Sequence, residues 1–222
     1  MPTPEPLLSH ARAAAESSRT GPESSMARLA MKVATTFRRR VLVVAADLTA
    51  DPPEVEVPLR VEVRRITATD IPAYCLLRPD EAAATVQARL DLGHHCFAIF
   101  CDATMVHAAW AATGRAYVPY LRRDLLLAPE DLYIYNSYTA PAYRGLGLAP
   151  LRHHHMRRHY RGLGLRRAVG VIAVENRAGL RVMDRLEFRR IGLYTCWRFG
   201  RWQRVRQETY ADEPLPLLVR PA

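Results

Sequence analysis

The chain of 222 residues is long enough for one domain with extensions or for two small domains, and 49% of its residues are hydrophobic, which is ample for a core. No run of about 18 apolar residues occurs, and residues 1–25 hold no apolar signal-peptide core, so neither a spanning helix nor a secretory signal is expected. The formal net charge is +10, and Lys32 is the only lysine, so arginine supplies nearly all of the positive charge. That balance permits a nucleic acid, a membrane surface or an acidic partner, and it equally permits a soluble enzyme for an anionic cofactor.

Four cysteines, Cys75, Cys96, Cys101 and Cys196, form no C-x-x-C pair. Buried free thiols in a reducing cytosol are therefore expected, which predicts a cytoplasmic protein. The sequence contains no RNP, zinc-finger or helix-turn-helix signature, so no nucleic-acid partner is expected. An oligomer is compatible with the sequence, which leaves the oligomeric state open.

The first 54 residues are predicted to precede the main domain. Residues 1–25 are poor in apolar side chains and predict a disordered tail. Residues 26–40 indicate either a short amphipathic helix or a solvated basic arm. Residues 41–45 are β-rich and predict an extra strand or an edge contact, and Asp51-Pro-Pro then breaks the pattern. The predicted organisation is a tail at 1–25, a helix and strand extension at 26–54, a main domain at 55–207 and a C-terminal tail at 208–222.

Within the main domain, strand and helix patterns alternate. Asp70 is an N-cap candidate for the first helix, Gly93 a stop signal for the second, and residues 117–129 indicate an extended piece followed by a loop. Helices are predicted at residues 71–77, 80–92, 148–161 and 177–186. Strands are predicted at residues 55–66, 96–100, 105–112, 132–139 and 166–174, with a closing hairpin over 188–205. This order predicts an α/β protein of the α+β mixed-sheet type, in which helices flank both faces of a central mixed β-sheet.

The stretch from Tyr138 to Ala149 joins a strand to a helix through a glycine-containing turn. Pro141 ends the strand, because proline cannot donate a ladder hydrogen bond. Gly145 and Gly147 allow a ligand to approach the backbone, and the helix that follows supplies free N–H groups and the positive end of a dipole. Arg144 adds a permanent charge beside them. The stretch therefore predicts an anion site, although it fits neither the Rossmann nor the P-loop pattern.

Two motifs in this part of the chain resemble those of one superfamily. Arg144 to Ala149 fits R-x-x-G-x-[GA], and the preceding Pro-Ala-Tyr-Arg is similar to P-x-Y-R. Downstream, the segment from Asn176 to Phe188 resembles a second signature, an Asn that opens a helix ending in Gly-Phe. Together these motifs resemble those of the GNAT superfamily of acyl-CoA-dependent N-acyltransferases. The resemblance is close over residues 131–199.

This resemblance implies a GNAT-type fold and an N-acetyltransferase, an acyltransferase that transfers groups other than amino-acyl groups from acetyl-CoA to an amine. The end of the strand, Tyr138 and Thr139, would pair through its backbone with the pantetheine arm, and Asn176 would hydrogen-bond the same arm or act as a helix N-cap. The pyrophosphate would be held by the glycine loop, that is by Arg144, Gly145, Leu146, Gly147, Leu148 and Ala149.

The resemblance fails at two positions that concern the chemistry. The family's usual tyrosine acid is replaced by Met183, and its glycine before Phe188 is replaced by Glu187, which predicts a different helix end because Glu disfavours a positive φ. An acid is needed for the departing thiolate and a base for the amine, unless solvent and proximity suffice. Tyr194 is the first candidate acid and Tyr138 the second, and Glu175 and His107 complete the set.

The acceptor is predicted to be a primary amine on a small molecule or a protein, bound by residues 70–95 and 110–128. No metal is predicted, because His155 and His159 lack an intervening Glu and the run His153-His-His fits a basic, solvent-facing helix better. Two alternatives remain open. One is an acyl carrier protein as donor, docked on Arg152, Arg157, Arg158 and Arg161. The other is a non-catalytic protein that binds acyl-CoA or nucleic acid.

Overall fold

The computed structural model describes residues 38–50, 54–199, 202–210 and 212–221. The predicted tail at 1–25, the helix or arm up to residue 37 and the break at 51–53 lie outside these ranges. Residues 38–40, predicted as the end of that helix or arm, belong to the first strand instead.

An eight-stranded sheet forms the centre of the molecule, in the order β10-β9-β1-β8-β7-β4-β3-β2. All described neighbours pair antiparallel except β7 and β8, which run parallel. The strands of this sheet are β1 Arg38–Asp47, β2 Glu62–Arg65, β3 His95–Cys101, β4 Thr104–Ala112, β7 Asp131–Thr139, β8 Arg167–Ala173, β9 Arg189–Phe199 and β10 Trp202–Thr209.

The strand β1 lies inside the sheet. Its residues pair with β8 on one side and with β9 on the other, so Val41 faces both Ala173 and Tyr194. The extra strand predicted at 41–45 is therefore present, and the alternative of an edge contact is wrong. Because Val41 and Val43 are fully buried, this N-terminal segment contributes directly to the core.

Four helices cover the sheet: α1 Ile71–Leu77, α2 Ala83–Asp91, α3 Leu148–Gly162 and α4 Arg177–Arg185. One face of the sheet packs against α1 and α2, with Tyr74 and Val86 fully buried. The opposite face packs against α3 and α4, with Met156 and Tyr160 at its centre. The predicted helices and their order are thus confirmed, although α2 begins three residues later than expected. Residues 117–129, predicted as an extended piece and a loop, instead contain the end of one strand and the whole of the next.

A small second sheet extends the α1 side of the molecule. It consists of β5 Arg115–Val118, β6 Arg123–Leu126 and β11 Leu217–Val219, in the order β11-β6-β5. Val118 and Leu125 of this sheet are completely buried, as is Leu121 in the turn between β5 and β6. The segment expected to be a C-terminal tail therefore supplies both the end of β10 and a strand of its own.

Residues 54–61 form no strand, although an alternating pattern predicts one over 55–66. Only Glu62–Arg65 pairs, with β3. Val55 and Val57 instead pack against the buried cluster that contains Leu148 and Leu151 of α3. The alternating apolar residues are therefore buried against the start of α3 rather than in a strand. This packing places the segment beside the glycine loop.

The end of α4 keeps a left-handed residue where the sequence has no glycine. Glu187 has φ +60°, its N–H donates to the carbonyl of Asp184, and the N–H of Phe188 donates to that of Met183. This is the hydrogen-bond pattern by which many helices end. The expectation of a different helix end is wrong, because the chain accepts the strain instead.

Glu187→Gly is therefore expected to stabilise the protein by about 1 kcal/mol, since a non-glycine residue in this region costs roughly 1–2 kcal/mol and glycine loses some backbone entropy in return. Urea denaturation of the variant would measure the free energy of unfolding. Glu187→Ala, which keeps the positive-φ strain, is the control and should show no comparable gain. A lower unfolding free energy for the glycine variant would contradict this account.

Of the cysteines, Cys96 and Cys196 are buried free thiols, whereas Cys75 and Cys101 are only partly buried. No helix in the described part of the chain has the length and apolar character needed to cross a bilayer.

Candidate active site

The predicted anion site lies between β7 and α3. After β7, residues Pro141–Tyr143 form a single 3-10 turn, and the chain then passes through Gly145 and Gly147, with φ of +81° and +79°. Gly147 is the N-cap of α3, which begins at Leu148. Within the described residues, no backbone carbonyl accepts from the N–H groups of Gly145, Leu146 or Gly147 outside regular helix and strand pairing. The loop therefore presents free N–H donors at the positive end of a helix dipole.

The two parallel strands separate beside this loop. β7 and β8 pair from Asp131–Arg167 as far as Ile134–Gly170, and both strands then continue unpaired with each other. At the closed end, the Arg167 guanidinium donates to both oxygens of the buried Asp131 carboxylate, at 2.7 and 2.6 Å. The open end is a fork in which the backbone of residues 135–139 faces no neighbouring strand on the β8 side. Such a backbone can pair with an extended ligand.

A β-bulge reshapes β7 just beyond the start of the fork. Tyr135 faces Trp110 and Tyr138 faces Ala108, so Asn136 and Ser137 share one partner residue. Asn136 has φ +51°, and sequence reasoning did not single it out. Asparagine adopts a positive φ more readily than most residues, so an Asn inside a predicted strand is the sequence feature that could have indicated a bulge here.

Polar side chains from the α1–α2 connection hold this bulge in place. Arg78 donates to Oδ1 of Asn136 at 2.7 Å, and Nδ2 of Asn136 donates to Glu81 at 2.8 Å. Glu81 also accepts an ion pair from Arg89 at 2.9 Å. The Glu81 carboxylate thus contacts the Asn136 amide and the guanidiniums of Arg78 and Arg89, which fixes its position beside the bulge.

A buried polar chain connects α3 to the end of β7. Arg152 is 1% exposed and His107 is fully buried, and the Arg152 Nε–H donates to His107 Nε2 at 3.4 Å. His107 Nδ1 lies 2.7 Å from the hydroxyl oxygen of Thr139. No carboxylate in the described ranges contributes to the pKa of the Arg152 guanidinium, and burial lowers this pKa to about 10. A buried cation of this kind must be stabilised by the dipoles around it.

The direction of the hydrogen bonds in this chain follows from its chemistry. The pKa of His107 lies well below its usual value, because the ring is buried and Arg152 is cationic, so the imidazole is neutral. A guanidinium can only donate, so Nε2 is the acceptor and Nδ1 carries the proton. The Nδ1–H donates to Thr139, whose own hydroxyl proton is then free to donate to another group. Since Thr139 is partly exposed and ends β7 beside the fork, that group can be a ligand.

The other predicted site residues surround the fork unequally. Tyr138 lies on β7 with its ring beneath two guanidiniums, those of Arg78 at 4.8 Å and Arg144 at 5.8 Å. Glu175 is exposed in the turn after β8. Asn176 caps α4 by accepting from the N–H of Gly179 at 2.9 Å, so the alternative of an N-cap is confirmed. Met183 packs on the sheet near Gly170, the last β8 residue that pairs with β7.

Tyr194 lies where it cannot serve a ligand in the fork. It is fully buried on β9, with β1 and β8 between it and β7, and its hydroxyl donates to the carbonyl of Pro216. Burial raises the pKa of this phenol, which makes proton release harder. The first choice of acid therefore does not fit the geometry, because β1 separates β9 from the fork.

For the N-acetyltransferase activity that the sequence motifs predict, Tyr194→Phe is accordingly expected to leave kcat and the affinity for acetyl-CoA within about twofold of wild type. It should lower the unfolding free energy by about 1 kcal/mol through the lost hydrogen bond. Steady-state kinetics and urea denaturation measure the two effects. Tyr138→Phe is the matched variant at the fork. A fall in kcat confined to Tyr194→Phe would restore Tyr194 as the acid.

The basic helix α3 is less solvated than predicted. Arg152, His153 and Arg157 are buried on its inner face, whereas His155 and Arg158 are exposed. The interpretation of His153 as solvent-facing is therefore wrong, and Arg152 and Arg157 are not available to a docked partner. The described residues include no group of three or more side chains that could hold a metal ion.

Comparison with solved structures identifies this architecture. A protein from Drosophila matches with a TM-score of 0.51 at 13% identity, over 80% of this chain and 58% of that protein. A protein from Novosphingobium aromaticivorans, described as an acetyltransferase from the GNAT family, matches with a TM-score of 0.50 at 17% identity, over 78% of this chain and 66% of that one. The chain has the GNAT fold. The chain covers less than two thirds of the length of either of these proteins. Its sequence matches no protein-family model and no curated protein.

The part of β7 that forms one side of the fork is followed directly in the chain by the glycine loop. The sequence motifs pointed to the loop, to Asn176 and to the strand end. Sequence reasoning gave no indication of Arg78, Glu81 or Asn136. It named His107 as a candidate acid or base and Arg152 as a docking residue, but not their contact, which joins distant segments.

Proposed function

We propose that the chain is an acyl-CoA-dependent N-acetyltransferase whose cofactor lies in the fork between β7 and β8. One observation carries this proposal: the unpaired backbone of residues 135–139 leads directly to the free N–H groups of Gly145 to Gly147. An extended amide-containing arm with a diphosphate at its end matches that sequence of donors and acceptors.

In this proposal the diphosphate binds the N–H groups of residues 145–149, and Arg144 adds a charge at the same loop. Arg144 Nε already donates to the carbonyl of Thr139 at 3.2 Å, which ties the loop to the strand end. The pantetheine arm pairs with the backbone of β7, and Asn176 remains a proposed partner through its amide nitrogen, because its oxygen is engaged in the cap.

Thr139 is proposed to donate its hydroxyl proton to an oxygen of the pantetheine arm. The Thr139 oxygen accepts a hydrogen bond from His107 Nδ1–H, and this bond orients the hydroxyl proton away from His107 before the ligand binds. Arg152 and His107 act through Thr139 and are positioning residues. In this proposal the buried Arg152 guanidinium contributes to cofactor binding through its hydrogen bond to His107.

The reaction joins the amine nitrogen to the acyl carbon and breaks the carbon–sulfur bond, and the departing thiolate gains a proton as the new amide nitrogen loses one. Among the described side chains at the fork, Tyr138 is the proposed proton donor. Glu175, an exposed carboxylate just after β8 at the same end of the sheet, is a further candidate for proton transfer. Proximity of amine and thioester, with solvent exchanging the protons, is the alternative.

The acceptor is proposed to be a primary amine on a small molecule or a protein, entering from the side of the α1–α2 connection. Arg78, Asp80 and Glu81 make this side polar near the bulge. An acyl carrier protein as donor has little support, because Arg152 and Arg157 are buried in α3.

Two measurements test the proposal. Native mass spectrometry of the purified protein with added acetyl-CoA should show a one-to-one complex, and incubation with a panel of amines should release free coenzyme A, detected with a thiol reagent. Binding without thiol release on any amine would indicate an acyl-CoA-binding protein, whereas absence of binding would refute the assignment of the fork.

A further inference from the structure

Arginine and tryptophan side chains share one face of the main sheet at its β10 edge. Trp197 on β9 lies directly opposite Arg38 of β1 and Arg204 of β10, and residues opposite one another in an antiparallel sheet project from the same face. The next row, two residues along, is formed in the same way by Arg40, Thr195 and Arg206. We call this surface the arginine–tryptophan face; it comprises Arg38, Arg40, Trp197, Trp202, Arg204 and Arg206.

The arginine–tryptophan face is open and concave. A groove of 460 Å³ is lined by Trp197, Trp202, Arg204, Val205 and Arg206. Trp202 is 55% exposed, and the four arginines are exposed as well. An indole this exposed beside a concave surface is a common mark of a binding site.

The charge on this face is almost entirely positive. Its described rows contain four arginines and one carboxylate, Glu208, which lies 3.4 Å from Arg206. The Arg38 guanidinium lies 5.9 Å from the centre of the Trp197 ring, so the indole already interacts with a cation through its face. A partner that complements this surface carries repeated negative charges and planar groups.

We propose that the arginine–tryptophan face binds single-stranded nucleic acid, with phosphates on the arginines and bases stacked on Trp197 and Trp202. A basic groove with aromatic platforms is how proteins hold single strands without regard to sequence. An acidic peptide would use the arginines but not the indole faces, and a duplex hides its bases. Arginines on one strand recur about 6.8 Å apart, and those of β1 and β10 lie about 9.6 Å apart because β9 is between them. Such spacings suit contacts to phosphates of a flexible chain.

This surface lies on β1, β9 and β10, whereas the proposed cofactor fork lies on β7 and β8, so the two proposals can fail separately. The net charge permitted a nucleic-acid partner, but no motif indicated this surface, because it is assembled from alternate residues of β1 and of the distant strands β9 and β10. A motif of consecutive residues therefore cannot identify this face.

The test uses the full chain and a fluorescent oligouridylate of about 16 nucleotides, with fluorescence anisotropy for affinity and quenching of tryptophan emission for stacking. Trp202→Ala is expected to weaken binding by about tenfold and to reduce the quenching. Arg204→Gln should weaken binding and reduce the slope of log K against log salt by about 0.7, the value for one phosphate contact on a single strand. Arg158→Gln, at an exposed arginine of α3, is the matched control and should bind as wild type does.

Thermal melting and circular dichroism of each variant confirm that the fold is intact. Single-strand binding that falls in both face variants and not in the control supports the proposal. Several results would overturn it: no binding at low salt, equal affinity for a duplex of the same length without quenching, or unchanged affinity in Trp202→Ala with full competition by heparin. Stronger binding to phosphatidylserine vesicles than to the oligonucleotide would also reject it, in favour of a membrane surface.

Discussion

A Gly147→Asp variant is expected to fold and to lose measurable binding of acetyl-CoA. Gly147 is the N-cap of α3, at the centre of the free N–H groups that we assign to the diphosphate. A carboxylate there would itself accept from those N–H groups and would repel the phosphates. Isothermal titration calorimetry measures the affinity, and circular dichroism confirms the fold.

Two control variants separate charge from strain. A Cβ at position 147, where φ is +79°, would lie 3.4 Å from Cγ1 of Val57, so Gly147→Ala carries the same steric cost without the charge. Gly164→Asp places the same side chain at φ +84°, just beyond the other end of α3, where nothing lies within 4 Å. We expect Gly164→Asp to bind normally and Gly147→Ala to bind more weakly than wild type but measurably. Equal affinity of Gly147→Asp and wild type would show that the diphosphate binds elsewhere.

Thr139→Val should weaken acetyl-CoA binding by about tenfold, with little change in kcat. The hydroxyl lost is the donor that we assign to the pantetheine arm, and one hydrogen bond contributes about 1 kcal/mol. The same substitution leaves the buried Nδ1–H of His107 without its acceptor, so the unfolding free energy should also fall, by about 1–3 kcal/mol. Calorimetry and urea denaturation measure the two effects.

The control for this prediction is Thr139→Ser, which keeps the hydroxyl and should behave as wild type in both measurements. Arg152→Met gives an independent check. Methionine removes the charge and, with it, the group that holds the His107 tautomer, so acetyl-CoA binding should weaken. Stability should change little, because the desolvation cost of the unpaired guanidinium is relieved at the same time. Unaltered cofactor affinity in both Thr139→Val and Arg152→Met would limit this chain of residues to a structural role.

Local patterns predicted the part of the site that is local in sequence. Pro141, Gly145 and Gly147 end a strand and begin a helix by their own backbone preferences, so the loop could be recognised before any fold was known. The helices at 71–77 and 177–186 were predicted to within a residue or two for the same reason. The α/β architecture followed from their order.

Burial of charged residues could not be predicted in this way. The run from Arg152 to Arg158 is so basic that it indicates a solvated helix, yet Arg152, His153 and Arg157 face the sheet. Which side of α3 meets β4 is decided by Leu148, Met156 and Tyr160, whose burial outweighs the cost of enclosing a guanidinium. The bulge at Asn136 likewise depends on Arg78 and Glu81, which come from another part of the chain.

The central position of β1 has a consequence for how the protein is made. During synthesis this strand leaves the ribosome well before its partners, β8 and β9, because β2 to β7 lie between them in the chain. Until then the apolar run Val41-Leu-Val-Val-Ala has both edges unpaired, which makes it prone to associate with other chains. Pairing between such distant segments also slows folding. We therefore expect the nascent chain to depend on chaperones that cover this strand until the second half of the sheet has been synthesised.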